Sequence, residues 1–247
     1  MKKPTGYIFY RGPSMLDGSP VVGVVLTSES ANKKTGALLQ TYILADNGQT
    51  ALESARSGAD HSVCGSCPHR RYFASGVQGN RGACYVNLGQ GARAVSYGVK
   101  RGIYPAFDDN AQAALSNRNV RLGAYGDPAA IPLVVWQSLL AYAEGWTGYT
   151  HQWKDPRYSG FKALCMASVD SESEAHSAWA AGWRTFRVKR SEAMKLQNEV
   201  VCPASAEAGH KVTCVECMAC NGTQRTTRSI VIDAHGTLKG LFMGGAL

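Results

Sequence analysis

Val120-Arg121-Leu122-Gly123-Ala124-Tyr125-Gly126-Asp127-Pro128 is the stretch on which the reading of the fold turns. Residues 120–125 make a short strand, and the glycines and the Asp-Pro pair stop it and open a turn. Residues 131–142 then read as a helix and residues 148–151 as the next strand. The alternation continues with a strand over 163–169, a helix over 171–181, a strand over 185–188 and shorter strands at 200–201 and 229–232. Ser171 and Glu174 have capping-box spacing at the start of that second helix. Strands alternating with helices predict parallel α/β packing. The series is too short for a complete eight-fold barrel, so a partial βα barrel or a doubly wound sheet is expected.

Upstream the pattern differs. Apolar runs rich in branched and aromatic residues at 7–10, 21–26 and 38–44 are separated by turn signals at 12–13, 17–20 and 32–36, which predicts hairpins or a small mixed sheet. The fold class is therefore α/β with α+β character at the N-terminus. A single domain over 1–247 is expected, with an N-terminal β region (1–57), a first cysteine-rich region (58–105) and a βα-repeat region (119–247) holding a second cysteine cluster at 202–220. Residues 58–92 are glycine-rich and irregular, and a loop of that length needs something to hold it, for which a metal is the obvious candidate.

Composition narrows the class. The 247 residues are 45% hydrophobic, enough for a large core. No run of about 18 apolar residues occurs and the N-terminus lacks the continuous apolar region of a signal peptide, so a cytoplasmic protein without a membrane partner is expected. The net charge of +8 fits an anionic partner such as nucleic acid, with basic residues at 69–71, 100–101, 184–190 and 225–228. Tyr72, Phe73, Tyr85, Tyr97 and Tyr104 interleave with these charges, as a stacking surface for single strands would. A solvated basic face and ordinary core packing account for the same residues.

Seven of the eight cysteines fall into two tight groups, which in a reducing compartment favours metal ligation over disulfides. Cys214, Cys217 and Cys220, with Cys202 upstream after a strand, offer four thiolates to one centre. The CxxCxxC run leans to an iron–sulfur cluster such as 4Fe–4S, with tetrahedral zinc as the alternative. Cys64 and Cys67, followed by Cys84 after a sixteen-residue gap, give three thiolates with His61 or His69 nearby. If His69 or His61 closes the site it is a structural zinc knuckle; if the fourth position stays open it suits a catalytic cluster. Cys165 sits in an apolar run and reads as a small hydrophobe.

Other polar residues fall at strand ends, where α/β folds bind ligands: Asp127, His151, Asp170, Cys202, and Asp233 with His235. Asp127, His151 and Asp170 are the candidates for acid–base work. Gly123 and Gly126 could let backbone amides approach a phosphate or carboxylate, although Asp127-Pro128 is equally a simple helix start. Neither a G-x-S-x-G elbow nor a Walker-type lysine loop is present, which lowers hydrolase and nucleotide triphosphatase readings.

Gly12-Pro13-Ser14-Met15-Leu16-Asp17-Gly18, Cys64-Gly65-Ser66-Cys67-Pro68-His69-Arg70, Ala83-Cys84-Tyr85-Val86-Asn87, residues 121–128, Tyr149-Thr150-His151-Gln152-Trp153 and residues 202–220 carry a resemblance to a family of cysteine-rich proteins of unassigned function found in phages and mobile elements of bacteria. This resemblance implies a bacterial host cell and supplies no mechanism. More remotely, a cysteine loop ending in Cys84-Tyr85 ahead of a βα series is similar to the radical S-adenosylmethionine enzymes. That similarity implies a cluster on Cys64, Cys67 and Cys84 with one open iron, S-adenosylmethionine as a further cofactor, and an auxiliary cluster around Cys214. The chain departs from that pattern in the gap before Cys84, where those enzymes have three closely spaced cysteines.

Two functions compete. One is an iron–sulfur enzyme acting on nucleic acid or another anionic substrate. The other is a nucleic-acid-binding accessory protein for phage or plasmid replication, with structural zinc in both cysteine groups and salt-dependent binding.

Overall fold

The N-terminal runs form a meander because each is a short branched segment cut off by a glycine- or proline-containing turn. Strands β1 (Gly6–Pro13), β2 (Pro20–Leu26) and β3 (Leu39–Ala45) pair antiparallel in that order. The computed structural model describes residues 3–28, 30, 32–223 and 228–242, so Arg225 of the last basic segment lies outside the described residues.

Four helices follow before the next strand: α1 (Ala51–Ser57), α2 (His61–Cys64), α3 (Gly91–Lys100) and α4 (Asp109–Leu115). Sequence periodicity did not single these out, but their ends are written in capping residues. Thr50 and Glu53 form a capping box on α1, Gly58 closes it at φ 85°, and Asp108 caps α4 through the Ala111 amide. Strand β4 (Asn119–Tyr125) then pairs parallel with β3, and β5 (Gly145–Thr147) pairs parallel with β4. Between them α5 (Leu133–Leu140) starts later than expected, since Pro132 precedes its first turn and residues 128–130 form a separate 3-10 turn.

The second sheet begins at once. Strands β6 (Tyr149–Thr150), β7 (Met166–Val169), β8 (Thr185–Lys189), β9 (Glu199–Val201) and β10 (Ser229–Asp233) are all parallel, in spatial order β6-β7-β8-β10-β9. The expected strand over 163–169 is shorter, because Pro156 and the Asp155 cap fold residues 156–163 into 3-10 turns. Helix α6 (Glu172–Ala180) starts where the capping box placed it, with the Ser171 hydroxyl accepting from the Glu174 amide at 3.1 Å. A short helix, α7 (Cys214–Cys217), precedes β10.

The class is thus mixed α/β, with one mixed and one all-parallel five-stranded sheet. Gly148 alone separates β5 from β6, so a single extended stretch is the last strand of one sheet and the first of the other. One hydrophobic cluster runs from Tyr7 and Val21 through Leu122 and Trp136 to Val169 and Trp183, joining both sheets. Among the described residues no helix is long and apolar enough to cross a membrane.

Candidate metal centre and its cavity

The first cysteine group is built by a tightly tethered loop. Helix α2 ends at Cys64, and Gly65 turns the chain at φ 53° so that Ser66 and Cys67 fold back. The Gln152 side chain clamps this turn: its amide donates to the Cys64 carbonyl at 3.2 Å, and its oxygen accepts from the Ser66 hydroxyl at 3.0 Å. Arg70, buried, pairs with buried Asp60 and donates to the Gly58 carbonyl at 2.8 Å, anchoring the loop to the end of α1.

The gap before Cys84 is closed by the backbone. The Gly82 amide donates to the Arg70 carbonyl and the Cys84 amide to the His69 carbonyl, at 3.1 and 3.0 Å. Residues 72–80 fold on themselves, the Gly79 amide reaching the Tyr72 carbonyl and the Ala74 amide the Asn80 carbonyl. The excursion therefore leaves and returns at one place and delivers Cys84 beside Cys67. Gly82 permits the return, because a Cβ there would stand 2.3 Å from the Arg70 carbonyl oxygen. Gly82→Ala is expected to push the two segments apart at a cost of about 1–3 kcal/mol. The loss should be read in thermal or urea unfolding against the parent.

The second group rests on the edge of the parallel sheet. Cys202 follows β9 and its amide donates to the Val231 carbonyl of β10 at 2.9 Å. Thr213 and Glu216 form a capping box on α7, and the Cys214 amide donates to the Lys34 carbonyl at 2.8 Å. The Cys220 carbonyl accepts from the Gly148 amide at 2.9 Å, fixing the loop to the junction of the two sheets. Arg184, buried, donates to the Ala219 carbonyl at 3.0 Å, so this basic residue holds the cysteine loop.

Both groups line one cavity of about 430 Å³, within the roughly 300–1,000 Å³ usual for small-molecule sites. All eight cysteines are free thiols. Burial raises the Cys64 and Cys67 thiols well above the ordinary value, and it lifts Cys220 to about 12. Ligation must therefore displace a proton from each. Among the described residues, neither group brings three sulfurs mutually within 4.8 Å. Four sulfurs about 2.3 Å from one zinc would stand roughly 3.8 Å apart.

Three strand-end residues meet here, in roles the sequence did not separate. Asp127 is buried and saturated: one oxygen accepts from the Thr150 hydroxyl at 2.7 Å and the Ala129 amide at 3.0 Å, the other from the His151 amide at 2.7 Å and the Gln152 side chain at 3.3 Å. It positions the backbone of His151. Asp127→Asn puts an amide donor among these donors, and we expect a loss of about 2–3 kcal/mol in thermal or urea unfolding. His69 is engaged by Asp170, its Nε2 2.7 Å from Asp170 Oδ2. His61 is exposed, and neither it nor Asp233 reaches the cavity wall. Asp233 instead pairs with Lys189 at 2.5 Å, while His235 lines the cavity against Tyr85.

The glycine loop also has a packing role. The Gly123 amide is taken by the Thr41 hydroxyl at 2.8 Å, and a Cβ on Gly126 would meet Ile43 at 2.7 Å. These close approaches explain both glycines without a phosphate, although both line the cavity. The residue that sequence reasoning missed is Arg121. It shares one face of β4 with Gly123 and Tyr125, lies at the cavity wall, donates to the Tyr85 hydroxyl at 2.7 Å and has a buried Nε without a partner. Burial opposes its charge, yet Tyr85, Tyr149, Cys214 and Cys220 around it hold it protonated.

Several arginines of the basic segments are used inside the fold. Arg70, Arg184 and Arg187 are buried and engaged, and Arg190 pairs with Glu192. Tyr104 is buried, while Tyr85 faces the cavity and Tyr97 sits on α3. Compared with known proteins, the chain matches no family model, no curated protein and no solved structure.

Proposed function

We propose that this chain is an iron–sulfur enzyme that uses S-adenosylmethionine, with a catalytic cluster on Cys64, Cys67 and Cys84 and an auxiliary cluster on Cys202, Cys214, Cys217 and Cys220. The supporting observation is that both cysteine groups and the β4 turn line one cavity of about 430 Å³. When bound, a cluster with one open iron supplies single electrons to a sulfonium. The chain's own residues shape the space around it: Gln152 and Arg70 hold the cysteine loop, and half-buried Arg121 offers a cation with an unpartnered buried Nε to a carboxylate or another anionic group. Asp127 fixes the strand end that carries His151.

The two sheets are read as arcs of one partial βα barrel continuous through Gly148. In support, the Gly148 carbonyl accepts from Met166 at 2.9 Å, so the stretch shared by β5 and β6 stays hydrogen-bonded through its break. The cavity then lies among the inward side chains and strand ends, where such folds bind ligands. Free thiols and oxygen-sensitive clusters suit a reducing compartment, the cytoplasm of a bacterial host. Nucleic acid as the substrate gains less from the charge than the sequence suggests, since Arg70, Arg184 and Arg187 of the basic segments are spent on internal contacts.

Iron and acid-labile sulfide analysis of protein purified without air tests this reading. About eight of each per chain is expected for two 4Fe–4S clusters. Incubation with S-adenosylmethionine and a strong one-electron reductant should release 5′-deoxyadenosine. Zinc without sulfide would overturn the reading.

A further inference from the structure

A third cluster of ligands in the cavity wall contains no cysteine. His69, His151 and Asp170 each offer one atom, and the three atoms all lie within 4.8 Å of one another. They come from three separate places, the first cysteine loop, the end of β6 and the end of β7, so nothing in their local sequence requires them to meet. The His69 Nε2 to Asp170 Oδ2 distance is 2.7 Å. That contact is an ion pair or hydrogen bond, and it is also compatible with two ligands about 2.1 Å from a common cation, which stand roughly 3 Å apart.

Two atoms of the group are buried without a hydrogen-bond partner. They are His151 Nε2 and Asp170 Oδ1, and Asp170 is only 7% exposed. An unsatisfied imidazole nitrogen and carboxylate oxygen side by side cost about 1–3 kcal/mol each unless something joins them. The backbone is built to keep them there. The Asp170 amide donates to Glu174 Oε2 at 2.8 Å, and the His151 amide donates to Asp127 at 2.7 Å. These contacts orient the ligands from behind, as the outer shell of a metal site does.

We propose that His69, His151 and Asp170 bind one divalent transition-metal ion at the cavity wall, separate from the cysteine centres. Two imidazoles and one carboxylate suit iron(II), manganese(II) or zinc, and three protein ligands leave positions open to a substrate oxygen. His69 and His151 line the cavity while Asp170 sits behind them, so the open positions face the same space as Cys67 and Arg121. The ion would give an anionic or carbonyl group a fixed anchor there. The site does not depend on what the cysteines hold.

Manganese(II) is the probe, because thiolates compete poorly for it. Titration of anaerobically purified protein, followed by the electron paramagnetic resonance of free manganese, should show one ion bound per chain. Electron spin-echo modulation should show two imidazole nitrogens on it. Asp170→Asn and His151→Gln should each weaken binding by about a hundredfold or more, beyond the 10–100-fold expected for losing an outer-shell partner. His151→Gln should leave one imidazole nitrogen. Iron and sulfide content should be unchanged in both variants, which separates this site from the cluster reading. No uptake by the parent, or uptake by either variant equal to the parent's, would overturn the proposal.

Discussion

Cys67→Ser, purified without air, is expected to lose about half of the iron and sulfide, and with it all release of 5′-deoxyadenosine from S-adenosylmethionine. Cys217→Ser should also lose about half of the metal but keep that cleavage. The asymmetry follows from the two donor sets. The first group has three thiolates, and His69 is paired with Asp170 at 2.7 Å, so the proposed cluster would keep one coordination position open. The second group has four cysteines held by backbone hydrogen bonds from Cys202, Cys214 and Cys220 to neighbouring segments, which makes a closed set. Iron per chain and chromatographic detection of deoxyadenosine check both variants. Equal loss of cleavage in the two variants would sink the division of roles.

Much of this architecture was legible in the sequence, for a physical reason. The strands β1 to β4, β8 and β10 are short runs rich in branched and aromatic residues, bounded by polar or turn-forming residues, and such runs favour strands. Helix α6 was marked by its own cap at Ser171. Helices α1 and α4 were missed because seven-residue helices show little periodicity and their caps at Thr50 and Asp108 are local signals, whereas α3 has a clear buried face at Ala92, Val95 and Ser96 but begins at a glycine with no side-chain cap to mark it. The break at Gly148 was invisible, since a strand that changes partners looks like any other strand.

The site divides in the same way. Each cysteine was identifiable from spacing alone, and the strand-end positions of Asp127, His151 and Asp170 marked one region. What spacing could not supply was convergence. The gap before Cys84 looked like a departure from a cluster motif, but the hydrogen bonds of Gly82 and Cys84 to residues 70 and 69 cancel it. Asp127 looked catalytic, yet four hydrogen bonds occupy its oxygens. The basic residues at 184–190 looked like a surface, yet Arg184 and Arg187 point inward because the loops around Cys202 and Cys220 leave carbonyls and a carboxylate that need donors.

That inward charge yields the largest expected loss of stability. Arg187 on β8 and Glu199 at the start of β9 form a bidentate pair with both N···O distances at 2.7 Å, and their side chains are 4% and 0% exposed. Glu199 also accepts from the Leu196 amide at 2.8 Å, and Arg187 donates to the Met194 carbonyl at 2.9 Å, so the pair closes the whole 190–199 loop. Glu199→Gln removes the countercharge and leaves a guanidinium buried, at an expected cost of about 3–5 kcal/mol. For a chain of this size that lowers the unfolding midpoint by roughly 6–20 °C. The double variant Arg187→Met with Glu199→Leu should recover most of the loss, because a well-packed apolar pair carries no desolvation penalty. Strand β9 leads directly into Cys202, so in Glu199→Gln the iron of the second group should fall before that of the first as temperature rises. A midpoint within about 1 °C of the parent would show that the pair contributes nothing, and that β9 is held by its pairing with β10 alone.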